Sequence, residues 1–463
     1  MRLLVNRIKS RINCYLKEFE IIPVRQKIYR VICFLAIIYA GIGFINNTFF
    51  SNSRELDVII AVLCIVLSFY LCYIYRYNTG LFIAMVFIAY ANYSVCMMYL
   101  DSSLRHEILH GQFGAYAYSE ALFCVYVFEL CLLLFSEKNV ADPKMIDSRK
   151  EMVIKHETNY IVAFGAMALY LLIFFLTFDF SSDGSRGGGS ALAEYRAIVV
   201  VIGCYYSAKK ISMKILWTVI VGFTSVMVFL GGNRIDAFAS LLAVFFFWYS
   251  GFLTYKKILL CLPVFIIGMM AIGVVRGGAF NIDVLLSVIN NLLNSKLTWD
   301  TPMFAYVPSL AIVDMTDMVD LADKAVLLLQ NVLYVFVGSS LGNSHDLIIY
   351  SLAFFFHYGG CITPVYFYFW IGYCGALLCA GLVLLYKKFY QSTLQSEKLD
   401  SLKEKLKYLI SVYFVCNVAR WYCYGPNGLI RNIFVFIVVY LIVYLFVLCY
   451  EKVRKNILLK YEK

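Results

Sequence analysis

The chain has 463 residues, 62% hydrophobic and 17% aromatic against only 15% charged. This balance excludes an ordinary soluble domain and places the chain among polytopic membrane proteins. Its net charge of +11 reads as membrane orientation, not as nucleic-acid binding. Apolar blocks of about 20 residues recur with short polar gaps, and lipid offers no partner to backbone N–H and C=O groups, so the fold class expected is all-α, a bundle of membrane helices.

In chain order, residues 1–30 are basic and polar, so the first apolar block reads as an uncleaved anchor. Spans are expected near 31–50, 57–75, 80–99, 115–136, 158–178, 191–208, 212–231, 235–254 and 257–275. A long interruption, 276–360, follows, and then spans near 361–386, 408–426 and 432–450. Twelve spans place both termini on one side.

The apolar run 345–358 is assigned by parity. If it crossed, the lysine-rich segment 387–407 would fall on the opposite side from every other lysine cluster. It is therefore read as a lateral or re-entrant helix at the end of the large outer loop. Lys and Arg then number 30 on the N-terminal side and 10 on the other, the pattern of a cytoplasmic N-terminus.

The ten outer cations are eight arginines (Arg54, Arg105, Arg186, Arg196, Arg234, Arg276, Arg420, Arg431) and two lysines (Lys296, Lys324). Orientation alone does not distinguish the two residue types. The planar guanidinium fork suits bidentate phosphate or carboxylate, so an anionic ligand is expected on this face. Only twelve residues separate Arg196 from Lys209, too few to cross about 30 Å, so Glu194 and Arg196 must lie within the outer half of their span. Arg420 also lies inside a span, while Arg234, Arg276 and Arg431 sit at span ends. The plainer account is snorkelling with local ion pairs, Glu194 with Arg196 or Arg234 with Asp236. Intramembrane charge more often marks a pathway or a site.

The segment 179–193, with its GSRGGGS tract around Arg186, reads as a flexible outer loop. Fifteen cysteines fall mostly within apolar blocks and read as small hydrophobes, without the spacing of a zinc or iron–sulfur site.

GNSHDLIIYSLAFFFHYGG (342–360) resembles the His-Asn-x-x-Leu stretch, followed by paired glycines, that closes the large periplasmic loop of Wzy-type O-antigen polymerases and the related O-antigen ligases. Asp346 stands where those families carry asparagine, and Gly359 and Gly360 come slightly late. The resemblance extends to twelve spans, termini inside, an arginine-bearing flexible outer loop and a second large outer loop before the tenth span. It implies polymerisation of undecaprenyl-diphosphate-linked oligosaccharide repeats at the periplasmic face of a bacterial inner membrane. Arg186, Arg196, Arg234, Arg276, Arg420 and Arg431 would bind diphosphate and stabilise leaving-group charge. His345 would take the acceptor hydroxyl's proton, with Asp346 orienting it or acting itself. With guanidinium groups supplying the charge, no metal or other cofactor is required. The partners implied are the lipid-linked donor and acceptor glycans, membrane lipid and a chain-length regulator protein, with no nucleic acid.

Other readings compete. HEILH (106–110) matches a zinc-protease pattern, but Gly111 ends its helix and no third ligand follows. Glu55-Leu56-Asp57 matches the acidic pair of GT-C-type lipid-phosphate-sugar glycosyltransferases and equally an ordinary helix start. Asp314, Asp317, Asp320 and Asp323 fit a surface-lying amphipathic helix with Ile312, Met315 and Val319 turned away, or a divalent-cation site. His357 reads as packing or an interfacial anchor. A lipid-linked oligosaccharide flippase would also have twelve spans but should show repeat symmetry, and none is evident.

Overall fold

The computed structural model describes residues 24–49, 53–76, 78–100, 112–136, 157–178, 191–207, 210–230, 234–249, 255–261, 301–337, 346–357, 359–395 and 401–461, with a few isolated positions besides. Described residues form α1 (Val24–Phe49), α2 (Arg54–Tyr75), α3 (Thr79–Leu100), α4 (Ala115–Leu134), α5 (Tyr160–Thr177), a 3-10 turn (Ala191–Tyr195), α6 (Arg196–Tyr205), α7 (Ile211–Leu230) and α8 (Arg234–Tyr249). Further along the chain come α9 (Thr301–Thr316), α10 (Leu321–Val337), α11 (Leu347–Ser351), α12 (Thr363–Tyr366), α13 (Tyr368–Ile371), α14 (Cys374–Gln395), α15 (Leu402–Cys416), α16 (Val418–Cys423) and α17 (Pro426–Tyr461).

The protein is an all-α, multi-pass membrane protein. Seven of its described helices are long and apolar enough to cross a bilayer: α1 to α5, α7 and α17. Local chemistry fixes their starts. Ser53 accepts the Leu56 N–H and opens α2, Asn159 accepts that of Val162 and opens α5, and Ser401 with Glu404 forms a reciprocal capping box on α15.

The helix at the centre is α4, buried along nearly its whole length and packed by α1, α2, α9, α12 and α14. Away from it, α5 exposes Phe164, Leu172 and Phe175, and α7 exposes Ile215, Val219 and Phe223. These are faces for lipid. Close approach is set by small residues: a Cβ on Gly203 would lie 2.3 Å from the Trp217 ring, whose indole N–H donates to Ser207 Oγ at 2.8 Å.

The two ends of the bundle differ in chemistry. At one, Lys405 meets Glu157 at 2.5 Å, Tyr205 donates to the same carboxylate and Lys210 lies 4.7 Å from the centre of the Tyr160 ring. At the other, where α2, α4, α6, α8 and α17 begin, the described cations are arginines apart from Lys324 of α10, which lies 5.2 Å from the centre of the Phe369 ring.

The expected spans near 361–386 and 408–426 are interrupted. The first breaks at Phe367 and again at Gly372, whose φ of +57° is left-handed backbone that glycine adopts readily. The second breaks at Asn417, leaving the six-residue α16 before Gly425, φ +78°. The acidic stretch 314–323 is two helices joined by a turn, with Asp320 accepting the Asp323 N–H. Ile312, Met315 and Val319 are buried and Asp317, Asp320 and Asp323 exposed, as the apolar spacing predicts. Yet α9 does not lie on a surface: it packs into the bundle against α3, α4, α12, α13 and α16. In the run 345–358 the described helix, α11, has five residues, too short to cross about 30 Å.

Candidate functional site

At the arginine end, the first turns of α6 and α8, the second turn of α17 and the broken segment α16 bring charged side chains together. Arg196 is the first residue of α6, Asp236 lies in the first turn of α8, Arg431 lies near the start of α17 and Arg420 sits within α16. Glu194 is supplied by the 3-10 turn.

These five groups alternate in sign. Arg431 Nη2 meets Glu194 Oε2 at 2.8 Å, Arg420 Nη1 meets Glu194 Oε1 at 2.6 Å, Arg420 Nη2 meets Asp236 Oδ1 at 2.5 Å, and Arg196 Nη2 lies 3.5 Å from Asp236 Oδ2. Arg196 Nε also donates to the Ala193 carbonyl at 3.2 Å. Three guanidinium groups against two carboxylates leave a positive excess. The row is driest at Arg196 and Asp236, each 5% exposed, and more open over Arg420, 21% exposed, and Glu194 and Arg431, each 18% exposed. A ligand can therefore enter at this open end, formed by Arg420, Glu194 and Arg431. Arg431 Nε and Asn432 Oδ1, both buried, have no hydrogen-bond partner among the described residues. An anion at Arg431 would satisfy that orphan donor.

Asp346 adjoins this open end. Its carboxylate accepts the Ile348 N–H at 2.8 Å and caps α11, and the Asn427 amide also reaches it. Asn427 precedes Arg431 by four residues, so both project from one face of α17. Tyr334 of α10 feels the charges of Asp346, Arg431 and Glu194 together. Burial raises the Asp346 carboxyl above the ordinary carboxylate range, opposed by the Ile348 N–H, the Asn427 amide and the charge of Arg431. Asn331 and Tyr366 complete the support: Asn427 Nδ2 donates to Asn331 Oδ1 at 2.9 Å and the Tyr366 hydroxyl to the same oxygen at 3.1 Å.

Of the residues expected to form the site, Arg196, Arg420, Arg431 and Asp346 come together. Arg234 opens α8 two residues before Asp236, and only its backbone is described. Arg186, Arg276 and His345 lie outside the described residues, as does HEILH at 106–110. The local pair Glu194–Arg196 is replaced by pairs between distant segments, since Glu194 serves Arg420 and Arg431 while Arg196 turns to Asp236. In the first outer loop Glu55 is exposed, whereas Asp57 is buried and accepts Ser119 Oγ at 2.8 Å, so the two acids do not share a site. His357 is packing: its Nδ1 accepts the Gly359 N–H at 3.2 Å, leaving Nε2–H to face Ser351 Oγ at 2.8 Å. Burial pushes its pKa down to about 4.

Sequence reasoning missed Asn331 and Asn427, and also a tyrosine-lined carboxylate at the same end of the bundle. There Glu120 of α4 accepts from the hydroxyls of Tyr368, at 3.0 Å, and Tyr373, and Tyr116 lies 3.2 Å from Tyr368. The available signal was an acid inside an apolar block. Among the described residues no three His, Cys, Asp or Glu side chains gather as a metal-holding group. No protein-family model matches the chain, and neither the curated proteins nor the solved structures contain a match to it.

Proposed function

We propose that the chain is a glycosyltransferase of the inner bacterial membrane, one that joins undecaprenyl-diphosphate-linked oligosaccharide repeat units into a surface polysaccharide at the periplasmic face. In this reading the twelve-span topology with both termini cytoplasmic holds, and the arginine end of the bundle is periplasmic. The single observation that carries it is the convergence of Arg196, Arg420 and Arg431, three guanidinium groups from separate elements, with Asp346 beside the open end.

The reaction follows from those groups. The acceptor's hydroxyl oxygen attacks the anomeric carbon of the donor glycan while the bond from that carbon to the lipid-diphosphate oxygen breaks. The leaving diphosphate keeps the electron pair, and Arg431 and Arg420 meet the charge it gains. The hydroxyl proton passes to a base on the preceding loop, His345 or Asp346. Arg196 and Asp236, in the dry part of the row, hold Arg420 in place.

Cell-surface glycan profiling of a deletion strain tests the reading. Collapse of a polysaccharide ladder to one capped repeat is the result expected. Loss of all surface repeats with lipid-linked units trapped inside would establish a flippase instead, and an unchanged ladder rejects both. Polymerisation of a defined lipid-diphosphate unit by the purified chain, with and without chelator, tests the chemistry directly and separates this reading from a metal-dependent GT-C enzyme.

A further inference from the structure

A second polar cluster lies deep in the bundle, where the reaction above has no use for it. Glu129 of α4 is fully buried, as is Asn92 of α3, and Ser68 of α2 is 2% exposed. Ser68 Oγ and Asn92 Nδ2 both donate to Glu129 Oε1, the amide at 2.6 Å. Asn92 Oδ1 in turn accepts the Tyr422 hydroxyl of α16 at 2.5 Å. Glu129 Oε2 is buried with no oxygen or nitrogen partner among the described residues, and the Cys64 thiol lies against the carboxyl.

No cation offsets this carboxyl among the described residues. The titratable groups facing it are thiols and phenols: Cys64 and Cys72 of α2, with Cys96 of α3 against Cys64, Tyr126 of its own helix, and Tyr422 of α16. An isolated ionised carboxylate in such surroundings is costly. Oε1 accepts two donors, as the carbonyl oxygen of a neutral acid does, and a proton on Oε2 would remove a charge that no neighbouring cation offsets. A metal cation is disfavoured, because the Asn92 amide N–H groups and the Ser68 hydroxyl point at the carboxyl as donors. Loss of the proton would leave a charged carboxylate whose donors, among the described residues, are Ser68, Asn92 and the Cys64 thiol.

We infer that Glu129 is an intramembrane proton-binding site, and that its occupancy is coupled through Asn92 and Tyr422 to the position of α16. The ligand is a proton exchanged with solvent, and no other reactant is needed. The coupling follows from α16 itself, a six-residue helix between two breaks. Residues two apart on a helix face different ways, so Tyr422 engages the Glu129 cluster while Arg420 engages Glu194 and Asp236. Ionisable groups placed this way in membrane bundles commonly serve proton relays, and broken helices commonly carry the ion-linked element. The inference stands whether or not the chain transfers glycans.

Infrared difference spectroscopy of the full chain in lipid membranes, from about pH 5 to about pH 9, tests this. A protonated-carboxyl stretch that is absent from Glu129→Gln and fades as pH rises is the expected result. Tyr422→Phe, which frees Asn92 to turn from the carboxylate, should move the midpoint of that titration upward by about one pH unit. A band missing at every pH, a band indifferent to pH, or a band retained in Glu129→Gln overturns the proton site. An unmoved midpoint in Tyr422→Phe overturns the coupling. Should Glu129→Gln not assemble in the membrane, Ser68→Ala decides in its place. Ser68 donates directly to Glu129 and to no other carboxyl among the described residues, so its removal should shift the midpoint of a Glu129 band, and an unmoved midpoint overturns the site.

Discussion

Arg420 of α16 and Asp236 of α8 meet at 2.5 Å across 184 positions of sequence, and this contact ties the broken segment to the dry part of the charged row. Asp236 is 5% exposed, and its two oxygens are divided between Arg420 and Arg196. Its truncation leaves two guanidinium groups short of a carboxylate in a dry environment. Asp236→Ala is expected to cost about 3–5 kcal/mol, the range for breaking a buried pair, and Asp236→Asn less, because the amide oxygen still accepts. Thermal unfolding in detergent measures the difference; equal melting temperatures for wild type and Asp236→Ala would mean that the contact contributes nothing.

Arg431 lies at the open end of the row, so its loss should affect ligand binding more than folding. Glu194 keeps Arg420 at 2.6 Å when Arg431 is removed. Arg431→Ala should lower polymerisation of a lipid-diphosphate unit by about 10²–10³-fold, the scale for one lost transition-state donor, with membrane protein level unchanged. Arg431→Lys should restore little, since a point charge does not replace the fork. Near-normal chain lengths in both variants would remove Arg431 from the site.

His357 gives a pH signature independent of catalysis. It is buried, neutral and bonded through both ring nitrogens, with its pKa pushed down to about 4 by burial. The unfolded chain takes up the proton near pH 6.5 and the folded one only near pH 4, so the stabilisation is full above about 6.5 and is lost as pH falls towards about 4. The total is about 3 kcal/mol by the same linkage. Melting temperature followed between about pH 7 and about pH 4 should fall less steeply in His357→Asn than in wild type; parallel curves would show that His357 does not titrate in that window.

Much of the fold was legible because lipid imposes it. Apolar blocks fix where helices run, and the lysine clusters separate one end of the bundle from the other. Arithmetic on the twelve residues between Arg196 and Lys209 put Glu194 and Arg196 in the outer half of a span; in the fold the Arg196 side chain is buried among protein groups. Pairing was not legible. Spacing favours Glu194 with Arg196, two residues away, but the fold delivers Arg420 and Arg431 to Glu194 from more than 200 positions distant. The breaks at Gly372 and Asn417 were hidden for a related reason: both lie within hydrophobic runs where hydropathy is indifferent to whether the helix continues. The asparagines that hold Asp346, Asn331 and Asn427, carry no charge and no motif, so nothing in one sequence separates them from asparagines in ordinary loops.

The glycine pair that follows His357 separates backbone conformation from packing. Both residues have left-handed backbone, φ +86° at Gly359 and +89° at Gly360. A Cβ on Gly359 meets nothing within 4 Å, whereas one on Gly360 lies 2.9 Å from the Cys423 carbonyl oxygen and 3.0 Å from Ala305 Cβ. That approach is what lets the Cys361 N–H donate to Cys423 O at 2.8 Å and the Gly425 N–H to Cys361 O at 3.0 Å, stitching the Asp346 loop to the end of α16. Gly359→Ala is therefore expected to cost only the conformational strain, about 1–2 kcal/mol. Gly360→Ala carries the same strain and must also push apart α9 and α16, so it should cost at least about 1–3 kcal/mol more, the range for overpacking. Because Gly360 binds the Asp346 loop to the segment bearing Arg420, its variant should also lose polymerisation while Gly359→Ala retains it. Paired unfolding and polymerisation assays decide the matter, and equal behaviour of the two variants would mean that the close approach at Gly360 has no part in assembling the site.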